Sequence, residues 1–178
     1  TNQRRKYNLP LTEGSYQNYK FNHNAKLLIA SKRKNSETRS YKIEFWNTES
    51  RTKTHEFEYD YPLSYLETHP NMDFAILNTT NTLAHVVSLK SKKIVGAIDH
   101  DCLTKSNSFS FANNKNILAI AKEKSVFIWD VNTQKLINTI NNEGYIYSIS
   151  LTDDGKYISA GTIGNNEANV WITSTGEK

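Results

Sequence analysis

Val126-Phe127-Ile128-Trp129-Asp130-Val131-Asn132-Thr133-Gln134-Lys135-Leu136-Ile137-Asn138-Thr139-Ile140 decides the fold, because its pattern recurs along the chain. Upstream, Val87-Ser88-Leu89-Lys90-Ser91-Lys92-Lys93-Ile94-Val95-Gly96-Ala97-Ile98 lies over it without a gap. So does Trp46-Asn47-Thr48-Glu49-Ser50-Arg51-Thr52-Lys53-Thr54-His55-Glu56-Phe57. Downstream, Trp171-Ile172-Thr173-Ser174-Thr175-Gly176-Glu177-Lys178 begins it again. The anchors stand at 46, 87, 129 and 171, separated by 41, 42 and 42 residues. A period in that range, ending each unit with an aromatic-polar pair, is the spacing of a four-stranded propeller blade.

Each unit repeats one order: an alternating strand, a polar turn, an apolar strand, a turn, then the anchor strand. The apolar second strands are Leu27-Leu28-Ile29-Ala30-Ser31, Phe74-Ala75-Ile76-Leu77, Ile117-Leu118-Ala119-Ile120-Ala121 and Tyr157-Ile158-Ser159-Ala160-Gly161. Short continuous apolar runs of this kind are strands buried on both faces. Asn, Asp, Pro and Gly fill the turns before them, as in Thr152-Asp153-Asp154-Gly155-Lys156. First strands such as Ser108-Phe109-Ser110-Phe111 alternate instead, so one side is buried and one is not. No stretch has helical periodicity with caps, and the chain reads as all-β. The expected units are 16–58, 59–99, 100–141 and 142–178, preceded by an N-terminal strand or linker at 1–15.

Phe127-Ile128-Trp129-Asp130 and Leu151-Thr152-Asp153-Asp154-Gly155-Lys156-Tyr157-Ile158-Ser159-Ala160-Gly161 carry a resemblance to the WD40 β-propeller family, over roughly residues 16 to 178. His100 stands where the His of that family's Gly-His pair would lie. The departures are specific. Unit two has Val87-Ser88 in place of Trp-Asp, units one and four have Trp46-Asn47 and Trp171-Ile172, and Glu123, Asn165 and Ser40 replace the Asp of the family's structural tetrad. The resemblance implies a ring, commonly of seven blades. Four units are part of one, so the remaining blades are expected from the same longer chain, the alternatives being self-association of two half-rings or completion by a partner protein. Tyr7-Asn8-Leu9-Pro10-Leu11 is a candidate outer strand, with Pro10 tolerable at an edge.

Composition agrees with thin sheets joined by many turns: of 178 residues, 37% are hydrophobic and 11% aromatic. The net charge of +4, with a pI near 9.0, is compatible with an acidic partner, a membrane surface or RNA and demands none of them. Cys102 is the single cysteine, which excludes an internal disulfide framework and a multi-cysteine zinc site. An intracellular location, cytoplasmic or nuclear, follows as the expectation. No apolar run approaches the roughly 18 residues of a membrane span. The chain opens on Thr1, as an excerpt or a processed product would.

No constellation for catalysis, cofactor or metal binding emerges. In His100-Asp101-Cys102 three reactive types are adjacent, but neighbours on a strand or turn point in different directions and do not form a nucleophile–base pair. The histidines at 23, 55, 69, 85 and 100 have no metal-ligand spacing, and His23 and His69 occupy equivalent turns. Asp153-Asp154-Gly155 is too short a ligand set for calcium and reads as a hairpin turn. The best candidate for partner contact is a basic insertion between the second and third strands of unit one, Lys32-Arg33-Lys34 with Arg39, read as a loop. The WD40 resemblance places that loop on the face that would also carry His100 and Asp101. The expected function is a non-catalytic protein–protein scaffold in a multi-subunit complex, without cofactors. The alternative is a component of a ribonucleoprotein particle, of the ribosome-assembly type, touching RNA through the basic loop.

Overall fold

The computed structural model describes residues 15–22, 24–34, 40–61, 63–70, 73–79, 83–99, 106–163 and 167–178. They form fifteen strands in four antiparallel meanders. Sheet one contains β1 (Ser15–Phe21), β2 (Leu27–Arg33), β3 (Tyr41–Asn47) and β4 (Thr52–Tyr59). Sheet two contains β5 (Leu63–Thr68), β6 (Phe74–Thr79), β7 (Leu83–Ser88) and β8 (Lys93–Asp99). Sheet three contains β9 (Ser106–Phe111), β10 (Ile117–Lys122), β11 (Ser125–Asp130) and β12 (Lys135–Asn141). Sheet four has three strands, β13 (Tyr145–Leu151), β14 (Tyr157–Ile163) and β15 (Ala168–Ile172). The chain is all-β, as its repeat implies. Among the described residues no helix is long and apolar enough to cross a membrane.

The repeat is written in the backbone as well as in the side chains. The turn after each anchor strand has one residue in the left-handed region: Arg51 (φ 60°), Lys92 (57°), Gln134 (56°) and Gly176 (74°). These positions keep the 41, 42, 42 spacing. In sheets one to three the outer strand carries a one-residue bulge opposite the anchor, at Thr54, Val95 and Ile137. A bulge leaves one residue unpaired and re-aims its side chain.

Strand alternation gives each sheet two faces, and sheets stack one onto the next. Phe45, Ile43 and Ile29 of sheet one pack on Leu66, Ala75, Leu77 and Val87 of sheet two. Ile76, Val86 and Ile98 of sheet two meet Leu118, Ile120 and Trp129 of sheet three. Ala119, Val126 and Ile128 of sheet three meet Ile146, Ile158, Ala160 and Trp171 of sheet four. The residue after each of Phe45, Val86 and Ile128 is the anchor, and Val87 and Trp129 face the preceding sheet. Phe45, Val86 and Ile128 are each 0% exposed, whereas Val170, the same position in sheet four, is 53% exposed. Tyr145, Tyr147, Tyr157 and Ile163 of sheet four are exposed as well. The array therefore ends in an open aromatic and aliphatic face.

Polar contacts align the stack. His69 is fully buried in the turn after β5, and its Nε2–H donates to the carbonyls of Ala112 (2.9 Å) and Lys115 (3.2 Å) in sheet three. The Ser108 and Ser110 hydroxyls of β9 accept the backbone N–H groups of Ile149 (3.2 Å) and Leu151 (2.9 Å) of β13.

Gly155 and Gly176 separate conformational strain from steric contact. Both have positive φ, but a Cβ on Gly155 would stand 2.9 Å from Ile117 Cδ1 and 3.2 Å from Ala112 Cβ, while Gly176 has nothing nearer than 3.5 Å. Gly176→Ala is expected to destabilise by about 1 kcal/mol, and Gly155→Ala by about 2–3 kcal/mol because it also pushes the turn off sheet three. Urea unfolding of the two variants checks this; equal losses would show that the contact with sheet three contributes nothing.

Candidate functional site

The basic segment of unit one is not a loop where it matters most. Lys32 and Arg33 are the last residues of β2, in register with Lys42 and Tyr41 of β3. The ladder runs on through Lys34, whose N–H donates to the Ser40 carbonyl at 3.2 Å. This corrects the sequence reading of a basic loop. Successive strand residues point to opposite faces, so Lys32 and Arg33 diverge. Arg39, His100 and Asp101, the other candidates, lie outside the described residues, as do Cys102, His23, Asn165 and residues 7–11.

Lys32 and Lys42 stand opposite each other, which would be unfavourable without counter-charge. β4 supplies it. Glu56 and Glu58 are two residues apart and so share a face. Lys42 Nζ lies 3.0 Å from Glu56 and 3.6 Å from Glu58, Lys34 lies 2.6 Å from Glu58, and Lys53 lies 2.5 Å from Glu56. Lys32 sits over the Tyr16 ring, 5.8 Å from its centroid.

At the floor is Glu44, a carboxylate only 1% exposed. It accepts the Tyr16 hydroxyl at 2.8 Å and the Trp46 indole N–H at 3.0 Å, and Lys53 approaches to 3.6 Å. Such a buried charge is tolerated because donors surround it. The groove so formed holds about 350 Å³ and is lined by Lys32, Lys34, Lys42, Glu44, Lys53 and Glu56. Its hydrogen bonds to Glu56 raise the Lys42 and Lys53 ammonium groups. Reciprocally, bonds from Lys53 and then Lys42 hold the Glu56 carboxyl down at about 2.

The groove is thus a charge network in which Lys34, Lys42 and Lys53 are already engaged by carboxylates of the same sheet. Sequence reasoning saw the lysines and missed Glu44, Glu56 and Glu58. The available signal was the alternation Glu56-Phe57-Glu58 in a strand joined by a hairpin to β3. Among the described residues no three His, Cys, Asp or Glu side chains gather where a metal could bind. Elsewhere, His85 is buried between sheets one and two, its Nδ1 2.7 Å from the Tyr59 hydroxyl. Burial lowers the His85 imidazole and raises the Tyr59 phenol, so the neutral pair is favoured, with Tyr59 donating.

Comparison with known proteins adds one direction. A 98-residue stretch, 54% of this chain, is 26% identical to the U3 small nucleolar RNA-associated protein 18 homolog of Homo sapiens and covers 17% of it. The Mus musculus protein of the same description is also 26% identical over 98 residues, 18% of its length. The match therefore spans less than a fifth of each of these relatives. No protein-family model matches the chain.

The Glu56 pairing predicts a pH dependence whose sign is fixed. Its carboxyl is held below the ordinary 4.5, so between 4.5 and about 2 the folded chain binds fewer protons than the unfolded one. Its contribution is complete above pH 4.5 and lost as the pH falls toward 2. Solvent screening at this half-exposed site keeps the contribution small. Urea midpoints measured across that range should fall less steeply in Glu56→Gln than in the parent; parallel curves would remove the network from the acid limb.

Proposed function

We propose that this chain is part of a non-catalytic propeller scaffold in a ribonucleoprotein particle of the ribosome-assembly type, acting in the nucleus. The observation that carries the reading is the similarity to proteins described as U3 small nucleolar RNA-associated. Stacked rigid sheets with loop-covered rims suit a scaffold, since they present fixed surfaces to several partners at once.

The open face of sheet four supports a larger ring. Val170 is 53% exposed where its three counterparts are fully covered. Ser148 and Ser150 occupy the places of Ser108 and Ser110, the acceptors of the next sheet's N–H groups. A further blade, supplied by the same longer WD40-type chain, fits both features and leads toward the seven-bladed ring.

A protein-only scaffold is the second reading. It is favoured by the internal neutralisation of Lys34, Lys42 and Lys53, which leaves little free charge there for phosphate. Affinity purification of the tagged full-length protein from its own cells, with and without nuclease, separates the two. The particle reading expects a small nucleolar RNA in the eluate and loss of most partner proteins on nuclease treatment. A partner set that is free of enriched RNA and indifferent to nuclease would overturn it in favour of the second.

A further inference from the structure

The recurring bulge of the outer strand is polar in sheet one and apolar in sheets two and three. Thr54 uses its bulge position internally, its hydroxyl donating to the Phe45 carbonyl at 3.2 Å. Val95 and Ile137 hold the same position and are 48% and 46% exposed. Their neighbours Ile94 and Leu136 are exposed too. Nothing in the folding of an outer strand asks for aliphatic side chains on an outward bulge, and contiguous exposed apolar groups rimmed by charge mark contact surfaces.

The two bulges are fixed relative to one another. Gln134, in the turn before β12, lays its side chain across Gly96 of β8. A Cβ at Gly96 would fall 1.9 Å from Gln134 Nε2, and that amide donates to the Val95 carbonyl at 3.4 Å. Asn138, beyond the second bulge, donates to the Thr173 and Ser174 carbonyls of sheet four at 3.2 and 3.3 Å. The surface is thus built before any partner arrives, which lowers the ordering cost of binding.

Its rim is rich in lysine. Lys90, Lys92 and Lys93 occupy the turn before the first bulge, and Lys135 precedes the second. Among the described residues none of these four makes an ion pair, in contrast to Lys34, Lys42 and Lys53. Asp130, opposite Lys135 in the ladder, accepts the Thr133 N–H at 2.9 Å in the exposed turn and makes no ion pair with Lys135.

We propose that the outer turn ends of sheets two and three form a docking surface for an acidic protein segment, with Val95 and Ile137 receiving two apolar anchors and Lys90, Lys92, Lys93 and Lys135 receiving its carboxylates. Both halves of the surface are used by such a segment. An RNA strand uses only the lysines: the phosphate backbone gains nothing from aliphatic groups, and among the described residues the apolar groups exposed at the two bulges, Ile94, Val95, Leu136 and Ile137, offer no ring for a base to stack on. The inference rests on the scaffold reading and names a contact surface for it.

Random peptides displayed on phage and selected on the immobilised chain test it. The expected winners carry acidic residues around paired apolar ones and weaken with added salt. They should lose at least about tenfold in affinity, about 1.4 kcal/mol, in Val95→Asp/Ile137→Asp and again in Lys90→Glu/Lys92→Glu/Lys93→Glu. Thr54→Asp, on the polar bulge, should change nothing, and circular dichroism confirms that each variant folds. Winners without acidic residues, or binding indifferent to both variants, would overturn the proposal. Displacement of the peptides by oligouridylate would assign the lysines to phosphate and overturn it equally. The test is separable from co-purification: a particle without RNA that still selects acidic peptides removes the ribonucleoprotein reading and leaves this surface in place.

Discussion

A thin sheet with two apolar faces is stable only between two neighbours, and every other feature of this chain follows from that constraint. Positions 45, 86, 128 and 170 are one place met four times. At the first three the side chain is completely covered by the next sheet. Covering a side chain of this kind contributes about 1.5–3 kcal/mol, and each interface buries several. No single sheet has that gain alone, so stability resides in the stacking of one sheet on the next. The period near 42 residues is what this costs in chain length: four short strands, three turns and a link.

Stacking alone does not fix the angle or the offset between sheets, because apolar contact is non-directional. The buried polar groups do. His69 spans two carbonyls of the neighbouring sheet, Tyr59 pairs with His85, and Ser108 and Ser110 accept consecutive outward amides of β13. Misalignment by one residue would leave these groups buried without partners, at about 1–3 kcal/mol each. The His85 ring illustrates the economy of the arrangement. Burial favours its neutral form, and only that form offers Nδ1 as an acceptor to Tyr59.

Much of this was legible in the sequence. The anchors, the apolar second strands and the Asn- and Asp-rich turns determine sheet order, because their periodicity reports burial directly. The left-handed turn positions were less visible. Gly176 advertises one, but Arg51, Lys92 and Gln134 adopt the same conformation with ordinary side chains, and only the repeat relates them. The charged face of sheet one was the hardest part. Lys32, Arg33 and Lys34 resemble a solvated insertion until Glu56 and Glu58 are placed opposite them, and that placement depends on strand register, which composition does not encode. His69 was recognisable as a turn residue, but its bond to sheet three joins positions 43 residues apart and leaves no local trace.

The two ends of the array are chemically unlike, and this separates closure from recognition. The outward face of sheet one carries the network around Glu44, in which each carboxylate is satisfied by donors of its own sheet. It needs no cover. The outward face of sheet four exposes Tyr145, Tyr147, Tyr157, Ile163 and Val170 and offers two serine hydroxyls where sheet three offers two that are occupied. Cover is what that face lacks. A tyrosine-rich surface is well suited to meet either an apolar sheet or a lysine-bearing one, since each ring has an apolar body, a π-face for a cation and a hydroxyl. Lys90, Lys92, Lys93 and Lys135 lie on neither face but at the outer turn ends of sheets two and three, where stacking makes no demand on the sequence. Side chains there are free to serve a partner, and the aliphatic bulges at Val95 and Ile137 beside lysines that make no ion pair are what such freedom leaves behind.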